Sequence, residues 1–336
     1  MAEENPDVLR DLLAAVSRSF YLTVRVLPAR IRRPIGLAYL LARATDTIAD
    51  TSVLPAGRRL EALDQLRRRI QGEDIVLSNL DELADGQSLP EERALLVRIE
   101  EAIGLLARLS ADDQSRIREV LEVITGGQEL DLQRFAGASE ESLVALQSEA
   151  DLDDYTYRVA GCVGEFWTRT CRAALFPKAT MDEALLLERA IRFGKGLQLV
   201  NILRDLPKDL SLGRCYLPTE SLVPAGLNPE DLQDADTMPR FLPLYGRYLD
   251  RAAAHLAAGW SYTNMLPRRQ IRVRLACAWP ILIGLRTLAR LRVANVLDPA
   301  KRVKINRREV KSLMLRSVLC YPRQSAWQRL FEQARR

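Results

Sequence analysis

Three observations predict an all-α fold. Apolar residues recur with a 3.6-residue period through nearly every segment, no stretch alternates well enough to be a strand, and no short-period repeat or low-complexity tract interrupts the pattern. Hydrophobic residues make up 48% and charged residues 28% of the 336 positions, enough for a sizeable core. No Pro/Gly/Ser-rich linker announces a second domain, so one bundle over residues 1–336 is expected, with peripheral termini at 1–16 and 320–336.

The periodicity places helices at 6–19, 34–51, 56–71, 91–107, 111–135, 142–176, 181–211, 240–264, 269–293 and 306–318. Turn chemistry separates them: Pro28, Pro34, Gly86 to Pro90, Pro177, the stretch Pro218 to Pro229, Pro239, Pro267 and Asp298/Pro299. Pro207, inside the 181–211 helix, should kink it, because proline has no N–H for the preceding turn.

Two of these helices carry the same acidic spacing. Asp46/Asp50 in ATDTIADT and Asp205/Asp209 in NILRDLPKD are D-x-x-x-D pairs about 160 residues apart, each with an arginine close before its first aspartate, Arg43 and Arg204. Residues four apart project from one helix face about 6 Å apart along the axis. Each pair therefore offers two carboxylates side by side, hard oxygen ligands of the kind Mg²⁺ takes together with waters and phosphate oxygens. Two such pairs facing one cavity would hold Mg²⁺, or Mn²⁺ in its place, and through the metal a diphosphate.

On the first helix Tyr39, Arg43, Asp46 and Asp50 follow steps of four, three and four, while Ile35, Leu37, Ala38, Leu40, Leu41 and Ala44 crowd both flanks and favour burial of the stripe. On the second, Gln198, Asn201, Asp205 and Asp209 share a face amid Leu197, Leu199, Val200, Ile202 and Leu203, which reads as an interior polar face. The first stripe taken alone could equally be a solvated helix face; the second could be a surface helix with i,i+4 charges, against which Gln198 and Asn201 amid apolar residues argue. Asn201 adds a carbonyl oxygen to the metal set of Asp46, Asp50, Asp205 and Asp209.

The balance of 49 Lys+Arg against 44 Asp+Glu gives a net charge of +5, a mild excess that suits anionic ligands or an acidic membrane surface. Nucleic acid is not expected, since no zinc-finger spacing, RNP-like aromatic motif or concentrated basic tract is present. Five cysteines without C-x-x-C spacing argue against a disulfide framework and for a reducing cytoplasm. The start MAEENPDVLRD does not look like a signal peptide, and the longest apolar run, Leu275 to Leu285, is too short to span a bilayer, leaving peripheral contact with the inner face of a membrane open. Gly194-Lys195-Gly196 lacks the third glycine and preceding strand of a dinucleotide fingerprint and reads as close helix packing. His255, the only histidine, reads as an ordinary helix position.

Five blocks stand in a recognisable order: SRSF (17–20), Tyr39 through DTIAD, YRVAGCVG (157–164), GLQLVNILRDLPKD (196–209) and RVKINRREVKSLM (302–314). In this the chain resembles the squalene and phytoene synthases, over nearly its whole length. Within that family, CAWPILIGLRTLA (277–289) and the VKI segment look more like squalene synthase.

The resemblance implies an isoprenoid synthase helical bundle with a central cavity, acting on farnesyl diphosphate as a monomer or weak dimer. It implies head-to-head condensation of two farnesyl diphosphates through presqualene diphosphate, with reduction by NADPH to squalene. A synthase that makes presqualene diphosphate, hydroxysqualene, dehydrosqualene or phytoene is the alternative, and a non-catalytic prenyl-lipid-binding protein a third.

Carried onto this sequence, Asp46, Asp50, Asp205 and Asp209, with Tyr39, Arg43 and Arg204, are the catalytic candidates. Ser17, Arg18, Ser19, Phe20, Val159, Gly161, Gln198 and Arg214 are the substrate-binding candidates, with Ala160, Gly161 and Gly164 making room for the prenyl chains. Lys304, Arg307 and Arg308 are the candidates for the NADPH phosphates. The chain departs from the family pattern at Arg158, where squalene synthases commonly carry a tyrosine, at Lys208 in place of an acid, and at Asn306 in place of an arginine.

Overall fold

The computed structural model describes residues 8–16, 23–51, 54–78 and 80–335. The fold is all-α, and the described residues group into two compact units: one comprises those up to Gln133 together with Phe166–Lys178, the other Arg134–Glu165 with Ala179–Arg336.

In the first unit, α1 (Val8–Val16) buries Leu12 and Leu13. The following α2 (Ala29–Asp50) starts five residues before the predicted boundary, because Pro34 does not begin the helix but sits inside it. Pro34 costs only the hydrogen bond to the carbonyl of Arg30, an exposed residue whose carbonyl can turn to water. The first turn is secured by the Pro28 carbonyl, which accepts from the amides of Ile31 and Arg32, both at 3.1 Å. Ile31, Ile35, Leu37, Leu40, Leu41, Ala44 and Ile48 then bury along α2.

Next come α3 (Ala56–Gln71) and a short α4 (Leu80–Asp85) that the periodicity did not reveal. The predicted 91–107 helix is two, α5 (Pro90–Val97) and α6 (Ile99–Ala107), because Arg98 leaves helical geometry at φ −105°, ψ 17°. Then follows α7 (Ala111–Arg134), whose Gln128 side chain points back to α2.

The predicted 142–176 helix is the largest correction. Val144–Ala145 (β1) pairs in parallel with Arg214–Cys215 (β2). The helix α8 (Glu149–Thr156) starts only at Ser148, whose side chain accepts from the Asp151 amide while the Asp151 carboxylate accepts from the Ser148 amide, a capping box. After it, Tyr157–Gly161 forms a π-turn, with the Cys162 amide bonded to the Tyr157 carbonyl, before α9 (Cys162–Leu175) resumes the α-helix.

The second unit is built on two long helices, α10 (Glu183–Ser211) and α12 (Met238–Met265), linked through the short α11 (Thr219–Leu222) and three 3₁₀ turns. Here the π-turn lies flush on α10. A Cβ on Gly194 would stand 2.1 Å from the carbonyl oxygen of Ala160, and one on Gly164 would stand 2.1 Å from that of Ala190. These glycines exist to let two backbones touch, as read for Gly194; the expectation that Gly161 and Gly164 clear space for substrate is corrected, since Gly161 too is buried, with a Cβ there meeting Ile191 at 3.3 Å.

Pro207 does not end α10. Its missing N–H would orphan the carbonyl four residues earlier, that of Leu203, and a buried unpaired carbonyl is costly. Tyr245 on α12, fully buried, donates its hydroxyl to that carbonyl at 3.0 Å. Burial pushes the Tyr245 phenol up, so it stays a donor.

Beyond α12 come α13 (Ile271–Leu291), α14 (Arg307–Cys320) and α15 (Gln324–Arg335). Residues 320–336 were expected to be peripheral, yet α15 presents Trp327, Leu330, Phe331 and Ala334 at helical spacing and buries them; Trp327 and Phe331 both stack on Trp260, at 4.7 and 5.0 Å. Among the described residues no helix is long and apolar enough to cross a membrane, and all five cysteines are free, four of them buried.

Candidate active site

In the first unit the predicted stripe on α2 is a hydrogen-bonded cluster. Arg43 donates through Nη1 to Asp46 Oδ2 at 2.9 Å and through Nη2 to Glu92 on α5. Gln128 Nε2 reaches Asp46 Oδ1 at 3.4 Å. Glu92 and Gln128 were not found from the sequence; both lie on other helices, and no local spacing links them to Asp46.

The Asp46 side chain remains 45% exposed, yet the surrounding protein strips enough water from it that its carboxyl is raised to about 6. Desolvation is the main cause and the charge of Asp50 the second, opposed by Arg43. A carboxylate stripped of part of its water, still open to solvent and beside a second acid, suits a divalent cation. Tyr39 is half-buried beside Arg43, and Asp50 lies exposed at the helix end. The expected burial of the stripe is thus partial.

In the second unit α10 brings Gln198, Asn201, Arg204, Asp205 and Asp209 to adjoining turns. Arg204 forks onto its neighbour, Nε to Asp205 Oδ1 at 3.0 Å and Nη2 to Oδ2. Asn201 Nδ2 donates to Gln198 Oε1 at 3.4 Å. Asn201 is exposed and Gln198, Asp205 and Asp209 are half-exposed, so the burial that their apolar neighbours suggested is partial here too. The buried positions are instead Leu199, Val200, Ile202, Leu203 and Leu206, which face the packing side.

Asp46 with Asp50, and Asp205 with Asp209 and Asn201, present oxygen donors of the type Mg²⁺ takes. Among the described residues no three Asp, Glu, His or Cys side chains converge into a closed metal cage.

The remaining candidates are placed as follows. Arg214 lies in β2 with its guanidinium 6.0 Å from the Phe135 ring centroid. Val159 is half-buried within the π-turn. Arg158 is committed to Asp154, with Nε 2.9 Å from both carboxylate oxygens, while the Tyr157 hydroxyl donates to Glu165 at 3.2 Å under the Lys195 ammonium. Ser17, Arg18, Ser19 and Phe20 lie outside the described residues.

Lys304, Arg307 and Arg308 are exposed. Between them Asn306 caps α14, its side-chain oxygen accepting from the Glu309 amide at 2.8 Å, and Arg286 and Arg290 both bind the Glu309 carboxylate.

A sequence profile of squalene/phytoene synthases matches residues 13–309, nearly the whole chain. The chain belongs to this family. Among its relatives, the presqualene diphosphate synthase of Zymomonas mobilis is 29% identical over 317 residues, 94% of each chain. That of Rhodopseudomonas palustris is 30% identical over 258 residues, 77% of this chain and 78% of the other. Among solved structures, TcSQS in complex with the ligand E5700 superposes with a TM-score of 0.80 at 23% identity, covering 98% of this chain and 90% of that one, which shows that the helical fold is shared. As a member of the family the chain is an isoprenoid synthase of the head-to-head prenyltransferase type.

Proposed function

We propose that this chain condenses two molecules of farnesyl diphosphate head to head and releases presqualene diphosphate. The observation that carries the reading is a repeated local arrangement: a D-x-x-x-D pair on a long helix with an arginine clamped on its first aspartate, Arg43 on Asp46 and Arg204 on Asp205. Diphosphate leaves readily only when its charge is neutralised. In this reading Asp46 with Asp50, and Asp205 with Asp209 and Asn201, would each offer oxygen ligands to Mg²⁺, for which Mn²⁺ could substitute, and the metal would supply that neutralisation as a Lewis acid.

Arg43 and Arg204 orient the carboxylates and lend positive charge where the leaving group departs. Tyr39 presents an aromatic ring to the adjacent allylic cation. The C–O bond of one substrate breaks with its electron pair going to diphosphate, the double bond of the second chain supplies the electrons of the new C–C bond, and one proton is lost as the cyclopropane closes.

Two observations favour presqualene diphosphate as the product. The two relatives described above, at 30% and 29% identity, carry that name. Asn306, where the family pattern suggests a phosphate-binding arginine, is spent on capping α14. One observation favours a second reading, reduction onward to squalene: Lys304, Arg307 and Arg308 are exposed cations close together in sequence, and NADPH phosphates are what such a group would hold.

Incubation with farnesyl diphosphate and Mg²⁺, with and without NADPH, followed by mass analysis, separates the readings. A C30 diphosphate unchanged by NADPH is expected. Squalene formed only with NADPH would favour the second reading, and a C40 product from geranylgeranyl diphosphate would favour a phytoene synthase. No diphosphate release from either substrate would leave a prenyl-lipid-binding protein.

A further inference from the structure

At one end of the second unit, the loop joining α12 to α13 and the turn joining α14 to α15 border a pocket of about 370 Å³. Arg274, Arg268, Asn264, Tyr321, Gln324 and Trp327 line it, and none of them belongs to the candidate active site.

Arg274 is only 8% exposed. Its Nη2 donates to Asn264 Oδ1 at 2.7 Å, its Nη1 reaches the Leu266 carbonyl at 3.5 Å, and its guanidinium lies 5.4 Å from the Tyr321 ring centroid. Its buried Nε finds no partner, and among the described residues no carboxylate pairs with the guanidinium. The neighbouring charge is another cation, Arg268, whose Nη2 bonds the Pro322 carbonyl at 2.7 Å.

The remaining polar groups are spoken for by neutral partners: the Asn264 oxygen also accepts from Trp327 Nε1 at 3.0 Å, and the Tyr321 hydroxyl donates to the Arg268 carbonyl at 2.6 Å. A buried charge normally has a counter-charge, because desolvation is otherwise uncompensated. Arginine cannot escape by losing its proton, although burial first and Arg268 second press its pKa downward.

We propose that this pocket binds an oxyanion, a phosphate monoester whose dianionic head lies between Arg274 and Arg268 and whose apolar part rests on Tyr321, Trp327 and Leu266. Two guanidiniums match a dianion, their unused N–H groups provide paired donors, and the Gln324 amide adds another at the exposed rim. The phosphate comes either from a soluble phosphorylated metabolite or from the headgroup of a phosphatidic-acid-type lipid.

Thermal unfolding of the full chain without Mg²⁺, in potassium phosphate and in potassium chloride at matched ionic strength, tests this. A saturable rise in Tm specific to phosphate is expected. Arg268→Ala, which alters an exposed side chain, should raise the half-saturating phosphate concentration about tenfold or more, the loss of one charge-assisted contact. Arg274→Met should abolish the response, and Arg268→Ala carries the test should that variant fold poorly.

Sedimentation with phosphatidylcholine vesicles, with and without phosphatidic acid, assigns the source. Arg268-dependent sedimentation with the acidic vesicles marks a headgroup site, and phosphate stabilisation without sedimentation marks a soluble ligand. Equal Tm in the two salts, or an Arg268→Ala response matching the parent chain's, would overturn the proposal.

Discussion

The hydroxyl that Tyr245 donates to the Leu203 carbonyl answers a vacancy created by Pro207, and this dependence can be measured. Tyr245→Phe removes one oxygen from a fully buried side chain and leaves the ring in place. The carbonyl loses its 3.0 Å donor and, with Pro207 in the next turn, gains none from the helix. Leaving a buried acceptor unsatisfied costs about 1–3 kcal/mol.

In a Pro207→Ala background the residue at 207 regains an N–H that can bond the same carbonyl, so the hydroxyl's removal should cost about 1 kcal/mol less. Equilibrium unfolding in urea, followed by circular dichroism for the parent, both single variants and the double variant, gives the coupling directly. Strict additivity, with Tyr245→Phe costing the same in both backgrounds, would refute the link between the proline and the tyrosine.

The other predictions concern packing, chemistry and pH. Gly194→Ala should destabilise by about 2 kcal/mol or more, since overpacking against a rigid carbonyl outweighs the roughly 1 kcal/mol gained in helix propensity. Gly104→Ala in α6, exposed and with nothing near its Cβ, should stabilise by up to about 1 kcal/mol in the same unfolding assay. Asp46→Asn or Asp205→Asn should lower pyrophosphate release from farnesyl diphosphate by about a thousandfold or more while unfolding stays cooperative, as follows if each loses several kcal/mol of metal-borne stabilisation; retained activity would refute the metal assignment.

His255 on α12 is held neutral, its pKa lowered to about 4 by burial and then by Arg192, Arg251 and Lys195. The unfolded chain takes up that proton near pH 6.5, so the stability is whole above this value and is lost as pH falls from about 6.5 to 4. A shift of this size sets a ceiling of about 3 kcal/mol, reduced because the ring is only partly buried. His255→Gln should flatten the stability profile in that window, and an unchanged profile would refute it.

The helical class and most helices were legible because amphipathic period survives in one dimension: α2, α3, α7, α10, α12 and α13 all bury the faces their apolar spacing implied. What escaped detection was decided by partners distant in sequence. The break at Arg98, the strand pairing of Val144 with Arg214 and the π-turn at Tyr157 leave no periodic trace.

The candidate site divides in the same way. Asp46 with Arg43 and Asp205 with Arg204 are local neighbours that spacing revealed. Glu92 and Gln128 come from separate helices, as Tyr245 does for Pro207. A proline inside a helix is a usable signal for such a donor, because the vacancy it makes at the carbonyl four residues back must be filled by something.

Asn306 ties the start of α14 to the basic segment that surrounds it. Its side chain begins α14 by accepting the Glu309 amide. An arginine at this position would remove that helix cap, at about 1 kcal/mol, a loss to be set against any gain in phosphate binding. For position 306 to carry a cation with no loss of stability, another residue would first have to supply the cap.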